Sequence, residues 1–150
     1  NDHANQTYYP WYKTNIGIFA GPFIMYKPDG SLKGVSDDIV EQIDIMPSVL
    51  GYLNYDKPFI AFGRNIFDKD HEPFAISYTA STYQLLMGDY LYLFDGLKGT
   101  GLYNFKTDLM LSTNLMETLP EVESKMETKV KAIIQQYNNR MIGDKLTISK

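Results

Sequence analysis

Phe74-Ala-Ile-Ser-Tyr-Thr-Ala80 and Thr82-Tyr-Gln-Leu-Leu-Met87 stand close together, and Gly88-Asp89 separates them from Tyr90-Leu-Tyr-Leu-Phe94. β-Branched, aromatic and large apolar residues dominate all three runs. Such side chains fit a pleated, half-buried surface, and Gly-Asp between two such runs is a two-residue hairpin signal. The stretch therefore reads as antiparallel strands. Asp95-Gly96 and Gly99-Thr100-Gly101 read as turns, and Leu102–Phe105 reads as one more strand.

Outward from this sheet the clearest helix lies on the C-terminal side. Val122, Met126, Val130, Ile133, Tyr137 and Met141 recur at spacings of three or four, which lays one apolar stripe along a helix. Thr118-Leu-Pro-Glu121 fits a capping box, Thr at the N-cap and Glu three residues on, and Gly143 marks the stop. The Glu and Lys residues between form a solvated face. On the N-terminal side, Ile16–Tyr26 is nearly continuous apolar sequence, as in a strand buried on both faces. Gly21-Pro22 interrupts it and confines the expected strand to about Phe23–Tyr26. Pro28-Asp29-Gly30 is a turn. A helix is expected after Asp38–Ile43, with Asp44 as N-cap, Pro47 in the first turn, and Ile45, Met46, Val49, Leu50 and Leu53 on one face.

This order predicts an α/β edge, one strand and one helix, followed by an α+β part: a small antiparallel sheet with a packed C-terminal helix. The division falls at 1–72 and 73–150, the two halves forming one compact unit.

Composition narrows the function classes. The chain has 150 residues and 44% hydrophobic residues, enough for one core. Net charge is −4 and no basic cluster rises above a solvated helix face, which argues against nucleic acid as a partner. There is no Cys, so disulfides, thiolate metal sites and a Cys nucleophile are excluded within the chain. The longest apolar run is too short to span a membrane. Aromatic residues make up 14%, Tyr contributing 12, which suits a carbohydrate or glycerophosphate environment and an ordinary β-rich core equally.

Asp2-His3 is the one pair with metal-ligand chemistry. A carboxylate oxygen and an imidazole nitrogen suit Mn²⁺, Mg²⁺ or Zn²⁺, although two ligands do not complete a site. Tyr8, Tyr9, Trp11 and Tyr12 follow at once, and read either as the wall of a substrate cleft or as docking residues. His71, within Asp68-Lys-Asp-His-Glu72, reads as a solvated surface residue. Asp37, Asp38 and Glu41 read as a cluster leading into the helix and favoured by its dipole.

In this order the segments resemble the C-terminal part of the sulfatase-like branch of the alkaline phosphatase superfamily, closest to the lipoteichoic acid synthase and phosphoglycerol transferase type. Asp2-His3 matches the family's metal-binding Asp-His pair, Phe23–Pro28 its strand and Pro-containing turn. Gln42-Ile-Asp-Ile-Met-Pro-Ser48 matches its Gln-Ile/Val-Asp-Ile/Val-Met-Pro-Thr helix start, with Ser48 for Thr. Phe62-Gly-Arg-Asn-Ile-Phe67 matches a Phe-Gly-x-x-Ile/Leu-Phe element. Leu102-Tyr-Asn-Phe-Lys-Thr-Asp108 with Asn114-Leu115 resembles the structural strand and turn that closes sulfatases, with Leu109 at the Pro position and Leu111 at the Glu position. Ala4 stands where Gly is frequent after the His. The likeness spans about residues 2–116.

The resemblance implies a metal-dependent parent enzyme acting on phosphate or sulfate esters, with phosphoglycerol-type transfer as the leading reaction. A Thr attacks phosphorus in synthase-like members, a formylglycine attacks sulfur in true sulfatases, and metal and nearby cations offset the charge on the transferred group. That nucleophile lies upstream of the Asp-His pair in the family, so this chain alone is expected to be inactive and to carry no catalytic residue, only the metal ligands Asp2 and His3. The divalent metal implied is Mn²⁺, with Mg²⁺, Zn²⁺ or Ca²⁺ as alternatives. The parent is expected at the bacterial cell envelope, anchored by upstream membrane helices with its catalytic part outside the inner membrane. Its partners would be the remainder of the catalytic domain and an envelope glycerophospholipid, a glycan phosphate or a sulfate ester. The isolated segment is expected to expose a strand edge and an apolar face and to self-associate. A free-standing module that binds glycan or protein through the aromatic loop 8–12 is the non-enzyme alternative.

Overall fold

The computed structural model describes residues 8–148, and its architecture is α+β. Four strands, β1 (Phe74–Thr79), β2 (Thr82–Met87), β3 (Tyr90–Phe94) and β4 (Gly99–Asn104), form one antiparallel sheet in sequential order. A short helix α1 (Ile45–Tyr52) precedes the sheet and a long helix α2 (Pro120–Ile142) comes after it.

The alternation of side chains builds the core. Pairing sets Leu85 opposite Tyr92 and Tyr92 opposite Leu102, and places Met87 and Phe94 on the same face. These five side chains are buried against Met126 and Val130 of α2. Tyr92 also extends its hydroxyl over Gly99, where a Cβ would collide with it, and donates to Glu127 Oε2 at 3.3 Å. The expected stripe is therefore real at its centre. Toward the helix C-terminus Tyr137 packs on Phe62, with ring centroids 5.4 Å apart, so α2 also touches the segment after α1.

Four local expectations are corrected. Ala80 closes no strand. Ala80 and Ser81 form the β1–β2 turn with φ of 50° and 62°, the left-handed pair that a two-residue hairpin demands. The Thr118 capping box does not form. α2 starts at Pro120 with Leu119 as N-cap, and Glu123 instead accepts the Glu117 N–H at 3.2 Å, because Glu117 itself turns the chain at φ 65°. Phe23–Tyr26 is not a strand. Ile16–Phe19 coils into turns through Phe19 N–H and Ala20 N–H bonds to the Ile16 carbonyl, and residues 21–27 run on without a ladder partner. An apolar run becomes a strand only where another strand accepts its backbone bonds, and among the described residues the one sheet is β1–β4.

The fourth correction concerns Gly99-Thr100-Gly101, which open β4 and form no turn. On α1, Ile45, Met46, Val49 and Leu53 share a face as expected, and it points outward, Val49 being 41% exposed and Leu53 65%, while Leu50 is half-buried. The buried residues are Pro47 and Ser48, with Asp44 just before them.

The sheet edges are also less open than expected. Glu41 Oε2 accepts the outward N–H of Ile76 on β1 at 3.2 Å. On β4, Leu102 accepts from Leu115 N–H at 2.7 Å and donates to Asn114 Oδ1 at 3.1 Å. Each edge carries a plug that blunts further strand addition.

Candidate functional site

Asp2 and His3 lie outside the described residues. The four aromatic candidates that come after them are placed. Pro10–Lys13 forms a single 3-10 turn, started by Pro10, whose fixed φ suits the first helical position. Thr14 locks the turn from below. Its N–H and hydroxyl both donate to the Trp11 carbonyl, at 2.9 and 2.8 Å, and its buried oxygen accepts the Gly17 N–H at 3.0 Å. Gly17 lies so close that a Cβ there would collide with the Trp11 carbonyl and touch the indole. On this base Tyr12 sits between Trp11 at 5.3 Å and Tyr9 at 6.1 Å, with the rings tilted by 53° and 56°. Trp11 and Tyr12 are half-buried, whereas Tyr8 and Tyr9 are 81% and 68% exposed. Lys13 is the only charged side chain from Tyr8 to Phe19. The structure thus brings Tyr9, Trp11 and Tyr12 into one cluster over the Thr14–Gly17 turn, and leaves Tyr8 outside it.

A second, polar constellation joins the two internal motifs. Asp44 Oδ2 accepts the Glu41 N–H at 3.1 Å and Oδ1 accepts the Arg64 N–H at 2.8 Å. Asp44 stands at the N-cap position of α1, yet its carboxylate serves these partners and does not cap that helix. Ser48 Oγ donates to the Asp44 carbonyl at 2.6 Å and accepts the Ile66 N–H at 3.0 Å. Gly63 and Gly51 permit the close approach: a Cβ at Gly63 would strike the Ile43 carbonyl, and one at Gly51 would lie 2.5 Å from the Asn65 amide. Arg64 reaches back through Nη2 to the Ile39 carbonyl at 2.8 Å, while its buried Nε has no protein partner. Burial pushes the Glu41 carboxyl up to about 7, and the Asp44 charge adds to this. The Ile76 N–H and the Arg64 guanidinium pull the other way.

The arrangement is chemically a clamp. Asp44 and Ser48 spend their hydrogen-bonding capacity on main chain, so the side-chain cap expected of Asp44 is replaced by bonds to the Glu41 and Arg64 N–H groups. Among the described residues no group of three or more His, Cys, Asp or Glu could hold a metal ion. His71 is exposed, as expected. Asp38 is held below the usual carboxylate range by the Lys69 ammonium at 2.8 Å and then by Ser36. Sequence reasoning missed Arg64 and the reach of Glu41 to the sheet. The signal available was Gly63, a residue without a side chain beside an Arg in an element framed by Phe62, Ile66 and Phe67. No family model matches this chain, and no curated protein matches it significantly.

Proposed function

We propose that the chain is the C-terminal segment of a metal-dependent sulfatase-like enzyme acting on phosphate or sulfate esters. Phosphoglycerol-type transfer at the bacterial cell envelope is its leading reaction. The observation that carries this reading is the orientation of α1. A helix that fixes its polar side to its own chain with buried hydrogen bonds, and turns Ile45, Met46, Val49 and Leu53 outward, is shaped to be covered by another layer of protein. The remainder of a catalytic α/β domain is that layer. When it is missing, the same face is where copies of the chain self-associate.

The sequence likeness gains support from the clamp. Gln42–Ser48 and Phe62–Phe67, the two internal motifs that carry it, bind each other through Asp44, Ser48, Arg64 and Ile66. Elements that recur together in one family have a physical reason to do so when each satisfies the buried groups of the other. In the parent, Asp2 and His3 offer one oxygen and one nitrogen donor, chemistry that fits Mn²⁺ and also Mg²⁺ or Zn²⁺. Two donors fall short of a full site, so the remaining ligands and the nucleophile belong to the upstream part. The metal, once bound, neutralises charge on the transferred group. Tyr8, Tyr9, Trp11 and Tyr12 would, on this reading, contact the substrate.

An antibody raised to this chain and used on fractionated source cells tests the proposal. A membrane-bound band several times heavier than 17.2 kDa, losing bound manganese when Asp2 and His3 are replaced by Ala, is expected. A soluble band near 17.2 kDa refutes it.

A further inference from the structure

Glu41 joins the clamp around α1 to the sheet. Its Oε2 accepts the outward N–H of Ile76 at 3.2 Å, the one hydrogen bond, among the described residues, between the segment before β1 and the sheet. Its backbone is fixed as well: the Glu41 N–H donates to Asp44 Oδ2 at 3.1 Å, and Asp44 Oδ1 takes the Arg64 N–H at 2.8 Å. The clamp thus ends in a carboxyl laid on the edge of β1.

Two carboxyls therefore share one part-buried site, and among the described residues neither forms an ion pair. The charged groups that act on Glu41 are Asp44, which opposes its ionisation, and the Arg64 guanidinium, which favours it. That guanidinium is committed elsewhere: Nη2 donates to the Ile39 carbonyl at 2.8 Å, and the buried Nε has no protein partner. β1 brings no charged residue to the contact, and Lys129 of α2 is engaged over the Phe74 ring, 4.3 Å from its centroid. Two carboxylates in one desolvated place do not both ionise readily. Asp44 accepts two main-chain N–H groups and Glu41 one, so a proton taken up by the pair goes to Glu41. The upward shift of Glu41, caused first by burial, agrees.

From this arrangement we infer that Glu41 is a pH-operated latch: neutral, it lies on the β1 edge and holds the Ile76 N–H; ionised, it swings into water and frees that edge. The carbonyl oxygen of a neutral carboxyl accepts an N–H without the desolvation that a charge in the same place must bear. The latch closes on acidification and opens as pH rises through about 7, leaving an outward N–H of an edge strand unpaired. It stands independently of the catalytic reading.

The opposite edge of the sheet supplies an internal control. There Asn114 Oδ1 accepts the Leu102 N–H at 3.1 Å, a plug of the same kind that cannot titrate. Amide hydrogen exchange at both positions of the full chain is read by NMR at about pH 5 and about pH 8 and corrected for the intrinsic pH dependence of exchange. Protection of Ile76 is expected to fall by about tenfold or more between the two conditions, while that of Leu102 holds within about twofold. Glu41→Gln keeps the carbonyl acceptor and removes the charge, so its Ile76 stays protected in both. The ¹³C shift of the Glu41 carboxyl titrates with the same midpoint as the loss of protection at Ile76. Equal behaviour of Ile76 and Leu102 in the wild type overturns the inference, and so does a pH-dependent loss at Ile76 that persists in Glu41→Gln.

Discussion

Replacing Ser48 and Val49, adjacent residues of α1, by Ala and Ser respectively separates the observed orientation of the helix from the one its apolar stripe suggests. In the structure Ser48 is fully buried, and its hydroxyl is the partner of the Ile66 N–H. Ser48→Ala leaves that N–H unpaired in a buried site, a loss of about 2 kcal/mol. The better helix propensity of Ala returns about 0.5 kcal/mol, so the net expectation is about 1.5 kcal/mol of destabilisation. Val49→Ser, at a position 41% exposed, removes only part of a side chain's burial. It should cost less than about 1 kcal/mol. Urea unfolding followed by circular dichroism, with the slopes compared so that changes in compactness are excluded, reads both numbers. For a chain of this size each kcal/mol corresponds to about 3 °C in Tm, so a thermal scan is an independent check. The opposite order refutes the clamp and the outward stripe together: Val49→Ser costing about 2 kcal/mol, as for a buried Val, and Ser48→Ala neutral or stabilising. The contrast of the pair matters more than either value, because both changes fall in one helix and share its fraying.

Three further outcomes rest on single residues. Glu41 titrates near 7 in the folded chain against an ordinary value of 4.5, so the folded state holds a proton that the unfolded state releases, and stability from this group is full below about pH 4.5 and lost as pH rises through 7. A shift from 4.5 to about 7 corresponds to about 3 kcal/mol for a fully desolvated group, which solvent screening of this partly exposed side chain reduces to about 1–2 kcal/mol; Glu41→Gln should match the wild type at pH 5 and exceed it by that amount at pH 8 in urea unfolding. The carboxylates of Asp38, Asp95 and Asp108 sit below their ordinary range and lose stability only on acidification, so they leave this window undisturbed. Ser81 holds φ 62° without being Gly, so Ser81→Gly relieves left-handed strain and should raise stability by about 1 kcal/mol, read as a higher urea midpoint. Gly99→Ala places a methyl against the Tyr92 hydroxyl in the core and should destabilise by about 1–3 kcal/mol, whereas the same change at exposed Gly21, with open space around it, should be silent in the same assay.

The residues alone reveal the fold wherever local and tertiary forces agree. β1, β2, β3 and the second half of β4 were legible because alternation, β-forming side chains and turn chemistry all favour the same pairing, whereas Gly99-Thr100-Gly101 has turn composition and yet opens β4. The middle of α2 was legible for the same reason: Met126 and Val130 lie on a single stripe, and that stripe is what the sheet buries. The failures arise where a tertiary partner decides. Phe23–Tyr26 has strand composition and, among the described residues, no strand beside it. The Thr118 box gives way to a turn at Glu117 whose left-handed φ no sequence rule demanded. At the candidate site, the aromatic run was visible as composition, but its floor depended on Thr14 and Gly17, residues of no special note in a sequence. Asp44 was recognisable as structural, whereas its true partner, the Arg64 backbone, lies across a long loop.

The orientation of α1 shows how a few directional bonds overrule a larger non-directional preference. Turning the helix to bury Ile45, Met46 and Val49 within this chain would expose them less to water, yet it would pull Ser48 from the Ile66 N–H and Asp44 from the Arg64 N–H. Each such rupture in a buried site costs on the order of 1–3 kcal/mol, comparable with the gain from burying one aliphatic side chain, about 1.5–3 kcal/mol. Gly51 and Gly63 let the two segments approach closely enough to make these bonds, since a Cβ at either would collide with the facing segment. An apolar stripe left outward by such a lock retains its full tendency to associate. The edges of the adjoining sheet are blunted at Ile76 and Leu102, so that tendency is directed to the helix face and away from strand addition. The chain thus keeps Asp44 and Ser48 paired with main chain and leaves Ile45, Met46, Val49 and Leu53 in water.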